Sequence, residues 1–561
     1  MKHFLHFISI IAFLFSSITL AQTNSLHIDG KITDKVTGEN LSAVTLYISN
    51  LSNGTVDSTF TNSAGNWQYD LTVTSLAEYS QAPVDFFVSQ NYPNPFNPST
   101  KINLTVPQPG NVIVTIYNTL GEKVDGCQEF LNPGYYSIDW NARGSAGVYF
   151  LNIKTGDKSF TKKMILLDGG FGTGLSRFHI GSNTLPGVNK LNKITTPIAV
   201  QIRTSKFAYI PYTVDTALTG DSHFEFSIET IHSHSRLFDL HNDILEIIVG
   251  DTSYHLKDFH TYNQTDIPRM KVGGVDAQFF AVWVDPSSHG NDAFNYAMSM
   301  VDRFNSELAL DTQNIGQART ADEVVSLNNK NKIAAILAVE GGHAIENDLE
   351  KLATLYNAGM RYLTITWNNS TDWAVSAKDS RSTTVGLSEF GRTVIRTLDS
   401  LGVIIDVSHT GIKTIEDILS ITTNPIIATH SGARALHNHY RNLYDNQIIA
   451  IANTGGFVGI VFYPPFLSSN GSVDVSRVVD HIDYIVNLVG IDHVAVGSDF
   501  DGIGNNTVVG LENISKFPNL TLELLTRGYT QTEIEKILGG NVMRVFQQVA
   551  GFKKTLASLK R

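Results

Sequence analysis

Histidine and carboxylate side chains follow short apolar runs at several points in the second half of the sequence: His241, Asp243, Glu340, His409, His430 and Asp499. Imidazole nitrogens and carboxylate oxygens together suit Zn²⁺ best, with Mn²⁺ or Co²⁺ as substitutes. A thiolate-rich zinc site is excluded because the chain has a single cysteine, Cys127. The residue types therefore predict a metal site built from histidines and carboxylates.

The chemical meaning of these six residues depends on whether they meet. A single histidine or aspartate after a strand more often caps a loop or a helix than binds a ligand. Six of them on one rim are different, because burying imidazoles and carboxylates together without a cation is costly. Two divalent ions that share one carboxylate would satisfy the set. Three histidines and two carboxylates divided over two ions leave open positions, which is the arrangement for activating water.

The elements that must bring these residues together are short apolar runs that begin after about residue 236 and alternate with helical segments. This alternation indicates a parallel sheet covered on both faces. Eight such units predict a closed (β/α)8 barrel of the TIM type, with an open eight-stranded sheet as the alternative. In a barrel the C-terminal ends of all strands share one rim, where the six residues would converge. The runs are LFDLH (237–241), DAQFFAVWV (276–284), IAAILAV (333–339), YLTITW (362–367), GVIIDVS (402–408), PIIATH (425–430), FVGIVFY (457–463) and HVAVGSD (493–499).

The segments between the runs show helical periodicity. In DLEKLATLYNAG (348–359), Leu349, Leu352 and Leu355 fall on one face. A glycine follows the last turn of this segment, where helices often end. The same pattern predicts helices at 295–310, 388–402 and 475–490.

The first half of the chain has short alternating strands broken by Gly, Asn, Asp and Pro, which predicts β-sandwich modules. The residues GKITD (30–34), TG (37–38) and Val44 resemble carboxypeptidase-regulatory-like modules, so we expect one at 22–80, which residues 170–230 could complete. A second module at 83–168 resembles the sorting domain of the bacterial type IX secretion route. That resemblance implies either export and contact with the secretion machinery, or a structural or adhesive role at the cell surface. Its motifs are NYPNPFNP (91–98), KINLTV (101–106), NVIVTIYNTLGEKV (111–124), GVYF (147–150) and KKM (162–164).

Length and composition narrow the class of protein. The 561 residues predict roughly three to four domains. An apolar fraction of 42% is that of a folded protein, and a net charge of −12 argues against a nucleic-acid partner. Residues 1–21 predict a cleaved secretory signal, with Lys2 before an apolar stretch and a cleavage site at Ala21; a membrane anchor is the alternative. We therefore expect an exported chain without a transmembrane helix, located in the extracellular space, at the cell surface or in the periplasm.

Residues 236–553 carry motifs that occur in one order along the whole second half. They resemble the renal (membrane) dipeptidase family of zinc peptidases, a branch of the metal-dependent amidohydrolases, which implies a (β/α)8 barrel. The motifs are DLHND (239–243), TDIPR (265–269), GGVDAQF (273–279), EGGHA (340–344), DVSH (406–409), THS (429–431), HYRN (439–442), GSDFDG (497–502) and GGN (539–541).

The resemblance implies two zinc ions per chain and a role for each ligand. His241 and Asp243 would bind one ion, His409 and His430 the other, and Glu340 would bridge both. A hydroxide held between the ions would attack the peptide carbonyl carbon.

The resemblance also assigns residues to the substrate. Arg441 matches the residue that receives the free carboxylate, which a guanidinium binds through two hydrogen bonds. Asp499 matches the acidic residue near the scissile bond, which takes a proton from the attacking water and passes it to the leaving amine. Trp367 departs from the family pattern, because many members carry a histidine there that helps to hold the oxyanion. The indole N–H of Trp367 is a candidate replacement.

The sequence thus predicts an exported binuclear zinc dipeptidase, with a D-residue at the C-terminal position of the dipeptide as one option. A second hypothesis keeps the barrel and changes the substrate to another small amide, such as an N-acyl amino acid, or to a lactone. A third is a surface scaffold with an inactive barrel. A homodimer is a further option for the assembled protein.

Overall fold

The computed structural model describes residues 22–75, 85–180, 197–469 and 471–550. It forms two compact units, Met1–Glu229 and Thr230–Arg561. The predicted secretory signal at residues 1–21 lies outside the described residues. Across the ranges that are described, no helix has the length and hydrophobicity needed to cross a membrane.

The first unit is built from β-strands. They are Gln22–Asp34, Thr45–Asn50, Thr55–Phe60, Asn66–Ser75, Phe87–Val88, Ser99–Val106, Gly110–Asn118, Lys123–Leu131, Gly134–Gly144, Gly147–Thr155, Lys158–Leu166, Gly170–Leu175, His179–Ile180, Ile198–Ser205, Thr213–Leu218 and Ser222–Ile228.

Strands from both ends of this unit share two sheets. The strand Gln22–Asp34 lies between Asn66–Ser75 and Ser222–Ile228, and Thr45–Asn50 pairs with Ile198–Ser205. Residues such as Ile28, Leu46 and Val200 pack between the two sheets in one buried core. Residues 198–228 therefore pair with strands that lie between residues 22 and 50, although 150 to 194 residues of chain separate the paired positions.

The strands between residues 87 and 180 form a second pair of sheets with a core of their own. Trp140 is fully buried in this core and packs on Phe96 and Tyr149. The core residues of the two sandwiches do not overlap, which fits a module inserted into another module. The domain boundaries given above stay predictions.

The second unit contains eight parallel strands in sequence order among its described residues, and a short strand, Ile315–Gln317, that pairs outside this path. The eight strands are Leu237–Asp239, Val275–Trp283, Ile333–Glu340, Met360–Thr364, Ile404–Asp406, Ile426–Ser431, Val458–Ile460 and Val494–Val496. Each predicted run overlaps one of them, so the fold class is confirmed, although the bounds differ and several strands end before their apolar run does.

The first and last strands approach each other and bring the sheet close to a closed barrel. The backbone N–H of Leu240 donates to the carbonyl oxygen of Val496 at 3.1 Å. The buried carboxylate of Asp239 accepts hydrogen bonds from the backbone N–H and the hydroxyl of Ser498, both at 2.7 Å. Gln278 on the second strand donates to the same carboxylate at 3.1 Å. One side chain therefore joins three strands at the rim.

Helices connect the strands and cover them. The predicted helix at 388–402 forms as Glu389–Leu401; Ser388 caps its first turn, and Gly402 ends it with a left-handed φ of 72°. The α-helices are Ile231–His234, Ile244–Gly250, Ile267–Val272, Pro286–His289, Ala293–Leu310, Ala321–Asn328, Leu349–Ala358, Glu389–Leu401, Ile412–Leu419, Asp445–Asn453, Pro464–Leu467, Val475–Val489, Phe517–Thr526, Gln531–Glu535 and Asn541–Ala550. Shorter turns of other helix types are Gly342–Ile345, Ile491–His493, Ile514–Lys516 and Lys536–Gly540.

We predict that Asp239→Ala lowers the free energy of unfolding by about 3 kcal/mol, because buried donors on Ser498 and Gln278 lose their acceptor. Urea titration of the purified variant measures this loss. Asp302→Ala removes an exposed carboxylate from a helix and should change the free energy by less than about 0.5 kcal/mol. Equal stabilities of the two variants would contradict the joining role of Asp239.

Candidate metal centre

The six histidine and carboxylate side chains lie at or just beyond the C-terminal ends of the barrel strands. Glu340 closes its strand and His430 lies within the strand Ile426–Ser431. His409 and Asp499 follow their strands in left-handed backbone conformations, with φ of 63° and 64°. Such conformations cost energy for residues with a Cβ and occur mostly where side chains are held for a function.

The carboxylate of Glu340 lies among three imidazole nitrogens. Its Oε2 is 3.4 Å from Nε2 of His241, and its Oε1 is 3.0 Å from Nε2 of His409 and 3.5 Å from Nε2 of His430. The Nε2 atoms of His409 and His430 are 3.1 Å apart. All four side chains are buried.

The two aspartates also lie close to His241. Oδ1 of Asp243 is 3.5 Å from Nε2 of His241. Ligand atoms of His241, Asp243 and Asp499 lie within 4.8 Å of one another, and so do those of His241, Glu340 and His430. Five of the six predicted residues thus form two groups that share His241. The sixth, His409, joins them through its contacts with Glu340 and His430.

Each imidazole is oriented by a hydrogen bond at its other nitrogen. Nδ1 of His241 lies 2.7 Å from the hydroxyl of Tyr362, and Nδ1 of His430 lies 2.8 Å from the hydroxyl of Thr429. Nδ1 of His409 is 3.2 Å from the amide oxygen of Asn368.

These partners assign the proton on each ring. The hydroxyl of Tyr362 donates to the carbonyl oxygen of Leu240, and that of Thr429 donates to the carboxylate of Asp406, so both hydroxyls accept from the imidazole Nδ1–H. The amide oxygen of Asn368 can only accept. All three rings thus carry a proton on Nδ1 and turn Nε2 towards Glu340, which is the nitrogen that metal ligation requires.

Buried polar atoms of the cluster lack a partner. Nε2 of His241, Oδ1 of Asp243 and Oε1 of Glu340 make no hydrogen bond to any described residue. A lone pair facing a carboxylate oxygen without a proton between them is repulsive, and a divalent cation would replace that repulsion with ligation. The residues therefore fit a metal site.

The electrostatics differ among the three rings. Although burial lowers it, Tyr362, Asp243 and Glu340 raise the pKa of His241 well above its usual value, so without a cation this ring takes up the proton that balances the carboxylates. Burial and the nearby Arg441 lower the pKa of His409 to about 4, and burial with His241 lowers that of His430 well below its usual value. Both rings are therefore neutral at pH 7 and can act as ligands. Burial and the Asp243 carboxylate raise the pKa of Asp499 well above its usual range, which suits a group that exchanges a proton near neutral pH.

Arg441 lies beside this cluster and has unused hydrogen-bonding capacity. It is 2% exposed, and its Nη2 donates to the carbonyl oxygen of His430 at 3.0 Å. Its guanidinium packs over the ring of Phe466 at 5.2 Å. Its Nε and Nη1 atoms are buried without a partner among the described residues, so the guanidinium can receive an anion here.

The other candidates have more modest positions. Trp367 is half-buried, packs on Trp283 at 4.9 Å between ring centroids and lies 6.3 Å from the ring of His409. It is therefore at the rim of the site. Nε2 of His343 is 2.7 Å from the carbonyl oxygen of Val284, which is a structural contact.

Four residues orient the imidazoles, and the sequence did not predict this role for them: Tyr362, Thr429, Asn368 and Asp406. Tyr362 and Thr429 lie inside apolar strands, where polar side chains are rare without a partner. A polar residue within an apolar strand therefore predicts a buried hydrogen-bonding partner. It does not tell which histidine each residue would hold.

Comparison with known proteins shows which families the two halves of the chain resemble. Residues 226–560 match the sequence model of a family described as membrane dipeptidase (peptidase family M19), and residues 90–167 match that of a secretion system C-terminal sorting domain. Dipeptidase 3 of Mus musculus is 32% identical over 321 residues, which cover 56% of this chain and 64% of the mouse protein. Dipeptidase 3 of Homo sapiens is 32% identical and is matched over 65% of its length. The chain thus spans less than two thirds of these relatives.

Solved structures give the same answer for the second half of the chain. A metallopeptidase named dipeptidase AC is 27% identical with a TM-score of 0.54, over 57% of this chain and 99% of that one. A metallopeptidase from Rhodobacter sphaeroides, solved with a phosphinate mimic of the dipeptide L-Ala-D-Ala, is 26% identical with a TM-score of 0.53. That match covers 56% of this chain and 99% of the Rhodobacter chain.

We predict that Glu340→Gln lowers the divalent metal content of the purified protein at least about twofold relative to the parental protein. The amide keeps the size of the side chain but loses the charge that faces three imidazoles. Elemental analysis after dialysis measures the metal, and circular dichroism checks the fold. Glu389→Gln, which removes an exposed carboxylate, is the matched control and should keep the parental content. Full metal content in Glu340→Gln would contradict the central position of this residue.

Proposed function

The chain belongs to the membrane dipeptidase family through residues 226–560, and from this membership we propose that it is a metallo-dipeptidase that hydrolyses the peptide bond of dipeptides. The observation that carries the proposal is the buried cluster around Glu340, whose unpartnered ligand atoms lie beside Arg441, a guanidinium with two unpartnered nitrogens. A cation site activates water, and the arginine selects a substrate with a free carboxylate.

We assign two zinc ions to the cluster. His241 and Asp243 would hold one ion, His409 and His430 the other, and Glu340 would contact both. Zinc bound there supplies a Lewis acid and a water molecule of lowered pKa. The neutral imidazoles with Nε2 lone pairs, and the absence of a thiolate, support zinc with nitrogen and oxygen ligands.

Arg441 would bind the α-carboxylate at the C-terminal end of the substrate. Its Nη2 donates to the carbonyl oxygen of His430, while Nε and Nη1 are available to donate to a ligand. The contact with the backbone of a ligand residue fixes the distance between this cation and the cluster. A substrate carboxylate would also remove the cost of a buried charge without a counter-ion.

Asp499 would move the proton during hydrolysis. As the water oxygen forms its bond to the carbonyl carbon, Asp499 accepts the water proton. It then gives that proton to the amide nitrogen, the C–N bond breaks with its electron pair on nitrogen, and an amine and a carboxylate leave. The raised pKa of Asp499 lets one group both accept and donate.

Two further properties are part of the proposal. The Rhodobacter structure with its L-Ala-D-Ala mimic supports dipeptides with a D-residue at the C-terminal position as substrates of this chain. The match of residues 90–167 to a secretion sorting domain supports export through a secretion system and association with the cell surface.

We predict that the purified protein cleaves free dipeptides such as L-Ala-D-Ala or L-Ala-L-Ala, and that a zinc chelator abolishes this cleavage. Added Zn²⁺ should restore it, because the cluster needs the cation to activate water. The measurement pairs elemental analysis with an assay of released amino acid. Metal without dipeptide cleavage would move the function to another amide or a lactone, and a metal-free protein would indicate a scaffold.

We also predict that Arg441→Ala lowers kcat/KM for a free dipeptide about 100-fold, mainly by raising KM, because it removes the partner of a desolvated carboxylate. The same dipeptide with a C-terminal amide lacks that carboxylate and should be a poor substrate for both proteins. Arg396→Ala, on an exposed helix surface, is the control and should keep the parental preference. If Arg441→Ala cleaved the free dipeptide as well as the parent, the docking role would be wrong.

A further inference from the structure

Trp283 occupies a position at the rim that the proposed mechanism does not yet use. It ends the second barrel strand and lies in register with Glu340 on the third. Paired positions of a parallel ladder project to the same side of the sheet. Ala277 and Phe279, which precede Trp283 at two-residue intervals, pack in the buried barrel core. The indole therefore lies above that core, on the same side as the carboxylate of Glu340.

The indole N–H of Trp283 has no acceptor. Its Nε1 is buried and makes no hydrogen bond to a described residue. Leaving a buried donor unpaired costs free energy in the absence of a ligand. A ligand oxygen that accepts from Nε1 would recover this cost.

The ring is also held in place beside the metal cluster. Its centroid is 4.9 Å from that of Trp367, and Trp367 is 6.3 Å from the ring of His409. Two aromatic side chains thus form a wall that includes one unpaired donor. A donor held rigidly before the reaction needs no reorganisation when charge develops.

The proposed hydrolysis requires such a donor. When the water oxygen bonds to the carbonyl carbon, the carbonyl π electrons move to oxygen, which becomes negatively charged. Preorganised N–H groups stabilise this oxygen more than they stabilise the neutral carbonyl. An indole N–H is suited to this role because it is a donor only and keeps its proton at neutral pH.

We propose that the indole N–H of Trp283 donates a hydrogen bond to the carbonyl oxygen of the scissile bond as that oxygen gains negative charge. The role rests on the proposed peptide hydrolysis. We assign the role to Trp283 and not to Trp367 because, of these two indole nitrogens, Nε1 of Trp283 is the one that is buried without an acceptor. Trp367 packs against the ring of Trp283 and supports it from the side.

Other unpaired indoles lack this position. Nε1 of Trp67 and of Trp373 is also buried without a partner. Trp67 packs on Phe224 and Phe226 in the first unit, and Trp373 packs on Phe390. Neither is in register with a residue of the metal cluster, so the missing partner alone does not define the site.

Trp283→Phe tests the proposal because it removes the N–H and keeps an aromatic ring. We expect kcat for a dipeptide to fall about 100-fold, with a much smaller change in KM and an unchanged zinc content. The affinity for a phosphinate mimic of the same dipeptide, measured by calorimetry, should fall by a similar factor, because the mimic carries the charged oxygen.

Matched variants separate this role from a structural one. Trp67→Phe makes the same substitution at another buried unpaired indole and should keep both the kcat and the phosphinate affinity. The proposal would be overturned if Trp283→Phe kept the parental kcat and phosphinate affinity. It would also be overturned if Trp367→Phe, and not Trp283→Phe, lost them. A parental protein that neither cleaves dipeptides nor binds the mimic would instead refute the proposed function.

Discussion

The buried carboxylate of Glu340, faced by three imidazole nitrogens, is the interaction on which the site depends. Without a cation, the neutral rings of His409 and His430 direct their Nε2 lone pairs at this carboxylate in a place where water cannot screen them. The barrel can afford this arrangement only because each imidazole is held from behind by a hydroxyl or an amide oxygen. The scaffold therefore holds the ligands in a geometry that is unfavourable by itself and becomes favourable when a metal binds.

Hydrogen bonds to buried carboxylates also hold the strand ends one layer below the rim. Asp239 ties the first strand to Ser498 and Gln278, and Asp406 accepts from the backbone N–H and the hydroxyl of Thr429, which orients His430. These carboxylates are fully buried and hydrogen-bonded, so they form a polar layer between the apolar barrel core and the metal cluster. The left-handed turns at His409 and Asp499 begin where this layer ends. Their strain is tolerable because the hydrogen-bonded strand ends on either side hold them in place.

Much of this could be predicted from the sequence, and the limits have physical causes. Eight apolar runs predict a barrel, and parallel strands then require their polar ends to meet on one rim. The pattern does not show where a strand stops: LFDLH continues to His241, but the strand ends at Asp239. Nor does it pair Tyr362 with His241, because that contact joins residues 121 positions apart. The strand Thr55–Phe60 is mostly exposed, so no apolar alternation marks its bounds in the sequence.

The two kinds of unpaired atoms in the site together limit the substrate. The unpartnered ligand atoms around Glu340 suit cations, whereas the unpartnered nitrogens of Arg441 suit an anion. The guanidinium of Arg441 also donates a hydrogen bond to the backbone of His430, which is part of the same cluster. A peptide whose carbonyl is at the cluster and whose carboxylate is at Arg441 has room for little chain between them. A longer C-terminal extension would place a neutral amide against the buried guanidinium and leave its charge uncompensated. In the proposed function, the position of this one buried charge would limit the substrate to a single residue after the cleaved bond, whatever side chain that residue carries.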